Sequence, residues 1–353
     1  MKKIFEQVTL GKLQLTNRIV RSATMEFGTT ENGKITEKYM NLYESLAKGG
    51  AGLTITGAMA VNSDSQVKKD MVNVYDENFI SSFSKVVQVV HKYNGKIVPQ
   101  LAHGGLISIA SSSKLRLAPS GLNGAKEMTK EDINNVIKDF ADAAYKCRQS
   151  GADAIQVHAA HGFLISQFLS SIFNKRQDEY GGSIQNRSRI LFEIIDSIKS
   201  KAGDDFPILI KINYSDLLEN GLSLEDSKWI CQNLDDKGLS AIEISSGIIS
   251  DKTYSPAQPV PDKKSEAYNE KAASYISESL NTPVICVGGN RTFDSIETSL
   301  NATNISAFSL CRPLICEPDL PLKWMNDSSY KPKCISCNAC FISPLLECAF
   351  SKK

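Results

Sequence analysis

The sequence lacks any run approaching the roughly 18 consecutive apolar residues that a membrane helix needs, so no membrane partner is expected. A charge excess is missing too: 40 basic residues face 39 acidic ones, with no long block of one sign. That balance argues against nucleic acid or a membrane surface as the main partner. The amino end, MKKIFEQVTLGKLQLTNRIV, has two lysines but no long apolar core and no small-residue cleavage site. It reads as mature protein, not as a signal peptide, and a soluble, cytoplasmic protein is the expectation. No internal linker or low-complexity segment stands out. No G-x-G-x-x-G follows the first candidate strand, which weakens a doubly wound dinucleotide-binding sheet. Histidine is scarce, at four in 353 residues.

Cysteine is plentiful, but its nine copies are an odd number in a chain without a secretory signal, so a disulfide framework is not expected. Cys334, Cys337, Cys340 and Cys348 fall within the last twenty residues. The other five are scattered through apolar segments and read as ordinary core residues.

With 42% hydrophobic and 22% charged residues, the chain can bury a sizeable core. Short apolar runs alternate with longer helical patterns from about residue 18 onward. The candidate strands are IVRSA, AGLTITGA, KIVPQLA, ADAIQVH, FPILIKIN, LSAIEIS, TPVICVGG and ISAFSLC. Between them, DENFISSFSKVVQVVHKY and TKEDINNVIKDFADAAYKCRQSG carry apolar residues at three- and four-residue spacing. Thr129 with Asp132 and Ser223 with Asp226 are helix-opening signals, and Gly151 and Gly238 are closing ones. Near-continuous apolar strands alternating with helices imply parallel strands covered on both faces. Eight such units predict an α/β fold, a (β/α)8 TIM barrel. Ahead of it, FEQVTLGKLQLTN predicts a hairpin turning at Gly11 that caps the barrel's lower end. The expected organisation is a barrel over residues 1–330 and a short Cys-rich tail over residues 331–353.

In such a barrel the working residues lie at the carboxyl ends of the strands. Reading each strand to its end collects Thr24, Gln100, His103, His158, His161, Lys211, Ser245, Ser246, Gly288, Gly289 and Arg312. The Gly288–Gly289 pair alone reads either as a tight turn or as a place for close backbone approach. Arg312 at the end of the next strand turns the reading toward a phosphate-bearing ligand, because barrel phosphate sites form after strands seven and eight. Lys211 sits inside ILIKIN, where alternation points it inward toward an anion or an electron-rich partner, since an isolated buried charge is costly. A Schiff-base role and a role beside an anionic ring both remain open at this point. His158 and His161 could be metal ligands, a donor pair or satisfied core residues, and a metal would want a third ligand such as His103 or Asp153.

The stretch HAAHGFLISQFLSSIFNKRQDEYGGSIQNRSRILFEII, from His158 to Ile195, closely resembles the signature of the old yellow enzyme family. The likeness runs through the whole barrel, from NRIVRSATMEFGTTENGKIT through PQLAHGG and GLS to CVGG and LCRP. It implies an FMN-dependent NAD(P)H oxidoreductase on a (β/α)8 barrel, with NADH or NADPH as reductant. Reductant and acceptor would use the same place in turn, giving ping-pong kinetics. Thr24 would sit near a flavin carbonyl and tune its potential, and Ala58 would line the flavin. Gln100 would hydrogen-bond the pyrimidine edge of the ring. Lys211 would stabilise negative charge on the reduced ring, and Gly288, Gly289, Cys311 and Arg312 would cradle the phosphate. His158 and His161 would grip an oxygen of the acceptor: an enone, a quinone or a nitro compound.

Two departures stand out. Most alkene-reducing relatives carry a proton-donating tyrosine two residues after the second histidine, and here Phe163 stands there. Glu26 likewise replaces a pocket tyrosine of some relatives. The tail CISCNACFISPLLEC resembles the iron–sulfur motif of the larger dienoyl-CoA reductase relatives, but with the tighter spacing C-x2-C-x2-C-x7-C. Cys334, Cys337, Cys340 and Cys348 are therefore candidate ligands of a [4Fe–4S] cluster, with zinc or a metal-free tail as alternatives. A cluster would imply an electron-transfer partner protein. A homo-oligomer is a further possibility.

Overall fold

The inward-and-outward alternation of eight apolar segments closes them into a barrel. The computed structural model describes residues 1–25, 29–30, 32–109, 116–248, 265–341 and 347–348, so Glu26 lies outside the described residues. The first two strands, β1 (Val8–Leu10) and β2 (Leu13–Leu15), pair antiparallel across the turn at Gly11. Gly11 has φ +56°, and a side chain there would strike the Ser240 backbone, so glycine is required twice over.

The barrel strands are β3 (Ile19–Arg21), β4 (Leu53–Ala60) and β5 (Ile97–Ala102), followed after a small β6–β7 pair (Leu117–Ala118, Lys126–Glu127) by β8 (Ile155–Ala159). The ring continues with β9 (Ile208–Asn213), β10 (Ala241–Ser245), β11 (Val284–Val287) and β12 (Ala307–Leu310). All eight pair in parallel with their chain neighbours in the ring, and β12 returns to β3 to close it. The eight candidate strands are thus the eight barrel strands, and the fold is the expected (β/α)8 barrel. The sequence reading did not include the two-residue β6–β7 ladder, which is too short to show a period.

Helices α1 (Glu37–Lys48), α2 (Phe79–His91), α3 (Lys130–Gln149), α4 (Leu164–Leu169) and α5 (Ile184–Ala202) accompany the first half of the ring. The second half carries α6 (Leu224–Asp235), α7 (Glu270–Ser277), α8 (Phe293–Ala302), α9 (Arg312–Cys316) and α10 (Leu320–Asn326). Helix α3 opens on a reciprocal capping box between Thr129 and Asp132. Ser223 caps α6 by accepting from the Asp226 amide. The chain then leaves α3 through Gly151 at φ +86°.

Two cores result from the strand alternation. Outward residues such as Ile97, Val157 and Ile210 pack under the helices. Inward residues at the lower end, among them Val20, Ile55, Val98, Leu209 and Ile285, meet Leu10, Leu13 and Leu15 of the hairpin. The hairpin is therefore a plug on the barrel floor. One step further along each strand the inward positions change character, from Val20 to Ser22, Val98 to Gln100, Ala154 to Gln156, Leu209 to Lys211 and Ala241 to Glu243. A polar layer thus lies directly on the apolar plug.

Candidate active site

Lys211 is buried, as its place in β9 requires, and finds its anion in Glu243 on the neighbouring strand, 3.4 Å away. Its ammonium also donates to Ser22 Oγ at 2.9 Å. The Ser22 hydroxyl in turn donates to Glu243 Oε1 at 2.8 Å, and Gln156 donates to Glu243 Oε2 at 3.0 Å. Burial pushes the Glu243 carboxyl up, but Lys211 and the surrounding hydroxyls and amide outweigh it and hold the carboxyl below its ordinary range. Gln100 joins through a 2.7 Å bond from its amide to Gln156 Oε1. Glu243, Ser22 and Gln156 were not among the residues read from the sequence. The signal was present, since a glutamate at an inward position of LSAIEIS is the counterpart of the lysine in ILIKIN.

Above this layer stand the histidines. His158 is the register partner of Lys211, and its ring lies 5.5 Å from that of His161, edge to face. His161 adopts φ +62°, a left-handed backbone that a non-glycine residue rarely takes, followed by Gly162 at φ +80°. After that turn the His161 ring lies edge to face against the His158 ring of the strand itself. His161 Nε2 contacts Ser245 Oγ at 2.7 Å, which orients the ring, while His158 Nδ1 is buried with no hydrogen-bond partner among the described residues. Burial, assisted by the Lys211 charge, pushes His161 down to about 3 and takes His158 well below its usual value. Both rings are therefore neutral at pH 7 and can donate from one nitrogen only. Burial also pushes His103 down to about 4, and its Nε2 has no hydrogen-bond partner among the described residues.

Asp153 does not join them. It sits at the other end of the barrel, paired with His91 at 2.8 Å and Lys96 at 2.8 Å, because it precedes β8 where the histidines follow it. The expectation that Asp153 could complete a metal site with the histidines is therefore corrected.

Phe163 packs its ring 4.2 Å from that of His158 and is buried in a cluster with Ala60, Ala102 and Met71. Ala58, re-aimed by a register shift in β4 between Ile55 and Ala58, packs on the same cluster. Thr24 contacts Cys311 Sγ at 3.0 Å, so Cys311 is half-buried at the site and not an ordinary core cysteine.

Gly288 and Gly289 have φ +140° and +74°. A Cβ on Gly288 would lie 2.5 Å from Asn269 Nδ2, and one on Gly289 2.7 Å from the Tyr268 ring. Asn269 donates to the Val287 carbonyl at 2.6 Å and accepts from Ser246 at 2.9 Å, tying the ends of β10 and β11 together. Strand β11 pairs with β12 through Val287 and Ser309, so the glycine pair follows one strand end and Cys311 and Arg312 follow the adjacent one.

The tail begins beside that corner. Buried Glu317 accepts from the Lys333 amide at 2.7 Å and the Tyr330 hydroxyl at 2.6 Å, fixing where the tail emerges. The Arg312 guanidinium donates to Asn338 Oδ1 at 2.7 Å and to the Ser336 carbonyl, and Arg291 donates to Ser336 Oγ. Ser336 and Asn338 both have positive φ, at +57° and +64°. Cys334, Cys337, Cys340 and Cys348 line one small recess together with Arg312. Among the described residues, no three metal-type side chains converge closely enough to hold an ion. Burial pushes the Cys340 thiol up to about 11 and Cys334 upward. Cys316 is pushed up to about 12 by burial and by its contact with Cys348.

A model of the NADH:flavin oxidoreductase / NADH oxidase family matches residues 3–329. The chain is 30% identical over 350 residues to the NADH oxidase of Thermoanaerobacter brockii, covering 95% of this chain and 52% of that one. It thus spans about half that relative's length. It is 34% identical over 255 residues to the NADPH dehydrogenase of Bacillus subtilis strain 168, covering 70% and 74%. Among solved structures, a 2-naphthoyl-CoA reductase complex superposes with a TM-score of 0.90 at 23% identity, over 98% of this chain and 56% of that one. That likeness shows the fold.

Proposed function

Because the chain belongs to the NADH:flavin oxidoreductase / NADH oxidase family, we propose that it is an FMN-dependent NAD(P)H oxidoreductase serving small electrophilic acceptors, quinones and nitro compounds before enones. The observation that carries the reading is the buried polar layer, with Lys211 and Gln100 at its upper edge and two neutral histidines directly above it. Bound FMN supplies hydride chemistry between a nicotinamide and the acceptor.

The residues fit that group. Gly288 and Gly289, packed without side chains of their own against Asn269 and Tyr268, would offer backbone amides to a phosphate, and Arg312, held by Asn338 and the Ser336 carbonyl, would bring a positive charge from the neighbouring strand end. Lys211 holds a positive charge where the reduced ring would carry negative charge, and Gln100 offers its amide to the polar edge of the ring. Thr24, whose hydroxyl donates to the Ser22 carbonyl and contacts Cys311, would lie beside the ring. His158 and His161, being neutral, would donate to one acceptor oxygen and draw charge onto it as the double bond is reduced. Phe163 excludes water beside His158 but carries no proton to give. Acceptors that need no placed acid are therefore favoured. Reductant and acceptor would occupy the same position in turn, and the kinetics would be ping-pong.

The four tail cysteines on one recess are the donor type that iron–sulfur clusters use, and they support a second reading in which a [4Fe–4S] cluster passes electrons to or from a partner protein. One experiment separates the two. The protein is purified anaerobically, its flavin spectrum recorded with iron and sulfide, and turnover with NADH and NADPH followed on a quinone, a nitroarene and a cyclic enone. Flavin with quinone turnover and no iron supports the first reading. About four irons per chain with fast reduction by ferredoxin supports the second. A protein that takes up no FMN overturns both.

A further inference from the structure

Glu243 is a fully buried carboxylate that would touch neither the acceptor nor the flavin phosphate, yet three of the groups around it are held by it. We propose that Glu243 is a positioning residue that sets the charge and the amide polarity offered to the flavin ring, acting through Lys211 on one side and through a Gln156–Gln100 relay on the other. The inference rests on the FMN reading above and names a residue that neither the sequence nor the family likeness singled out.

Donor and acceptor rules force the argument. An ionised carboxylate only accepts hydrogen bonds and an ammonium only donates them. Gln156 must therefore turn its NH2 group toward Glu243, as the 3.0 Å bond shows. Its carbonyl oxygen then faces Gln100, and Gln100 must answer with its own NH2, at 2.7 Å. The Gln100 carbonyl oxygen is thereby directed away from the relay, as an acceptor suited to an N–H on the polar edge of the ring. On the other side, Ser22 has one proton, committed to Glu243 at 2.8 Å, so its lone pair receives the Lys211 ammonium at 2.9 Å. One carboxylate thus dictates the direction of every bond in the layer. It also partly compensates the Lys211 charge, so that the ring meets an ion pair and not a bare cation.

An amide at position 243 both donates and accepts. Gln156 and Gln100 could then each turn over, and Lys211 would stand uncompensated. Four variants of the FMN-loaded protein test this: Glu243→Gln, Glu243→Asp, Gln156→Met and Lys211→Met. The readouts are the FMN dissociation constant, by fluorescence quenching, and the two-electron midpoint potential, by equilibration with a reference dye. Glu243→Gln is expected to favour the reduced flavin by tenfold or more, a positive shift of about 30 mV for a two-electron couple. Lys211→Met is expected to shift the potential the other way. Glu243→Asp, which keeps the charge, should return the potential toward wild type. Gln156→Met leaves the Lys211–Glu243 pair intact, so it should weaken FMN binding about tenfold while the potential stays within about 15 mV of wild type, a threefold change in the two-electron equilibrium.

A Glu243→Gln protein with unchanged FMN affinity and potential would overturn the proposal. Unchanged FMN affinity in Gln156→Met would remove the relay arm. If Glu243→Gln does not fold, Gln156→Met decides the relay arm through FMN affinity, and an unshifted potential in Lys211→Met overturns the charge arm. A wild-type protein that takes up no FMN would bring down the FMN reading itself, which is a distinguishable failure.

Discussion

The two ends of the barrel interior are built from the same strands and differ in almost every other respect. At the floor, inward residues are aliphatic and meet the leucines of the β1–β2 hairpin in a dry plug. One alternation step higher, the same strands present Ser22, Gln100, Gln156, Lys211 and Glu243, joined by hydrogen bonds. The lower layer is stabilised by apolar burial alone and specifies no chemistry. The upper layer carries charge and polar groups out of water, which is favourable only when each is satisfied, and it stores direction and potential in return. Substitutions in the plug should therefore act on stability, and substitutions at the mouth on affinity and rate.

The largest expected effect is at the floor. Leu10→Ala should cost about 2–5 kcal/mol of stability, read from urea unfolding, and leave FMN affinity per folded molecule unchanged. A large loss of affinity in the folded fraction would break the division between the two ends. At the mouth, His158→Leu, which leaves no donor, should lower kcat/KM for a quinone roughly a hundredfold, in the range seen when one oxyanion donor is removed, with thermal stability little changed.

A third test uses acid. His103 stays neutral in the folded chain down to about pH 4, whereas the unfolded chain protonates near 6.5. Between those values the unfolded state binds the additional proton, so stability is full above pH 6.5 and is lost as pH falls toward 4. The slope is about 1.4 kcal/mol per pH unit for one such histidine. His103→Gln should flatten the pH dependence of the urea midpoint between pH 6.5 and 4; an unchanged slope would show that other groups govern it. The smallest effect is expected from Phe163→Tyr, which places a hydroxyl beside His158 and should raise the enone rate about tenfold, within reach of a single proton donor, without altering quinone turnover. No gain on the enone would mean that the missing acid does not limit that reaction.

Much of this was legible in the chain. The strands, the hairpin turn at Gly11 and the inward direction of Lys211 follow from alternation, glycine and the cost of unpaired charge. The same rule reaches Glu243, but only once β10 is placed beside β9 with Glu243 opposite Lys211. The placement of Asp153 failed because nearness in sequence does not tell which end of a strand a residue occupies. The hold of Asn338 and Ser336 on Arg312 had no local signal, since it joins segments 24–26 residues apart through two left-handed backbone positions.

Periodicity and residue type by themselves determined that the chain forms a (β/α)8 barrel, which strands line it, and that a lysine and two histidines lie toward the carboxyl ends of those strands. Tertiary structure alone decided which groups those residues meet. It paired Lys211 with Glu243, turned Gln100 through Gln156, took Asp153 to the opposite end and brought the tail cysteines beside Arg312. The physical reason is that alternation along a strand is a local steric property. A buried charge, by contrast, is satisfied by whichever neighbour the closed ring of strands brings within about 3 Å of it.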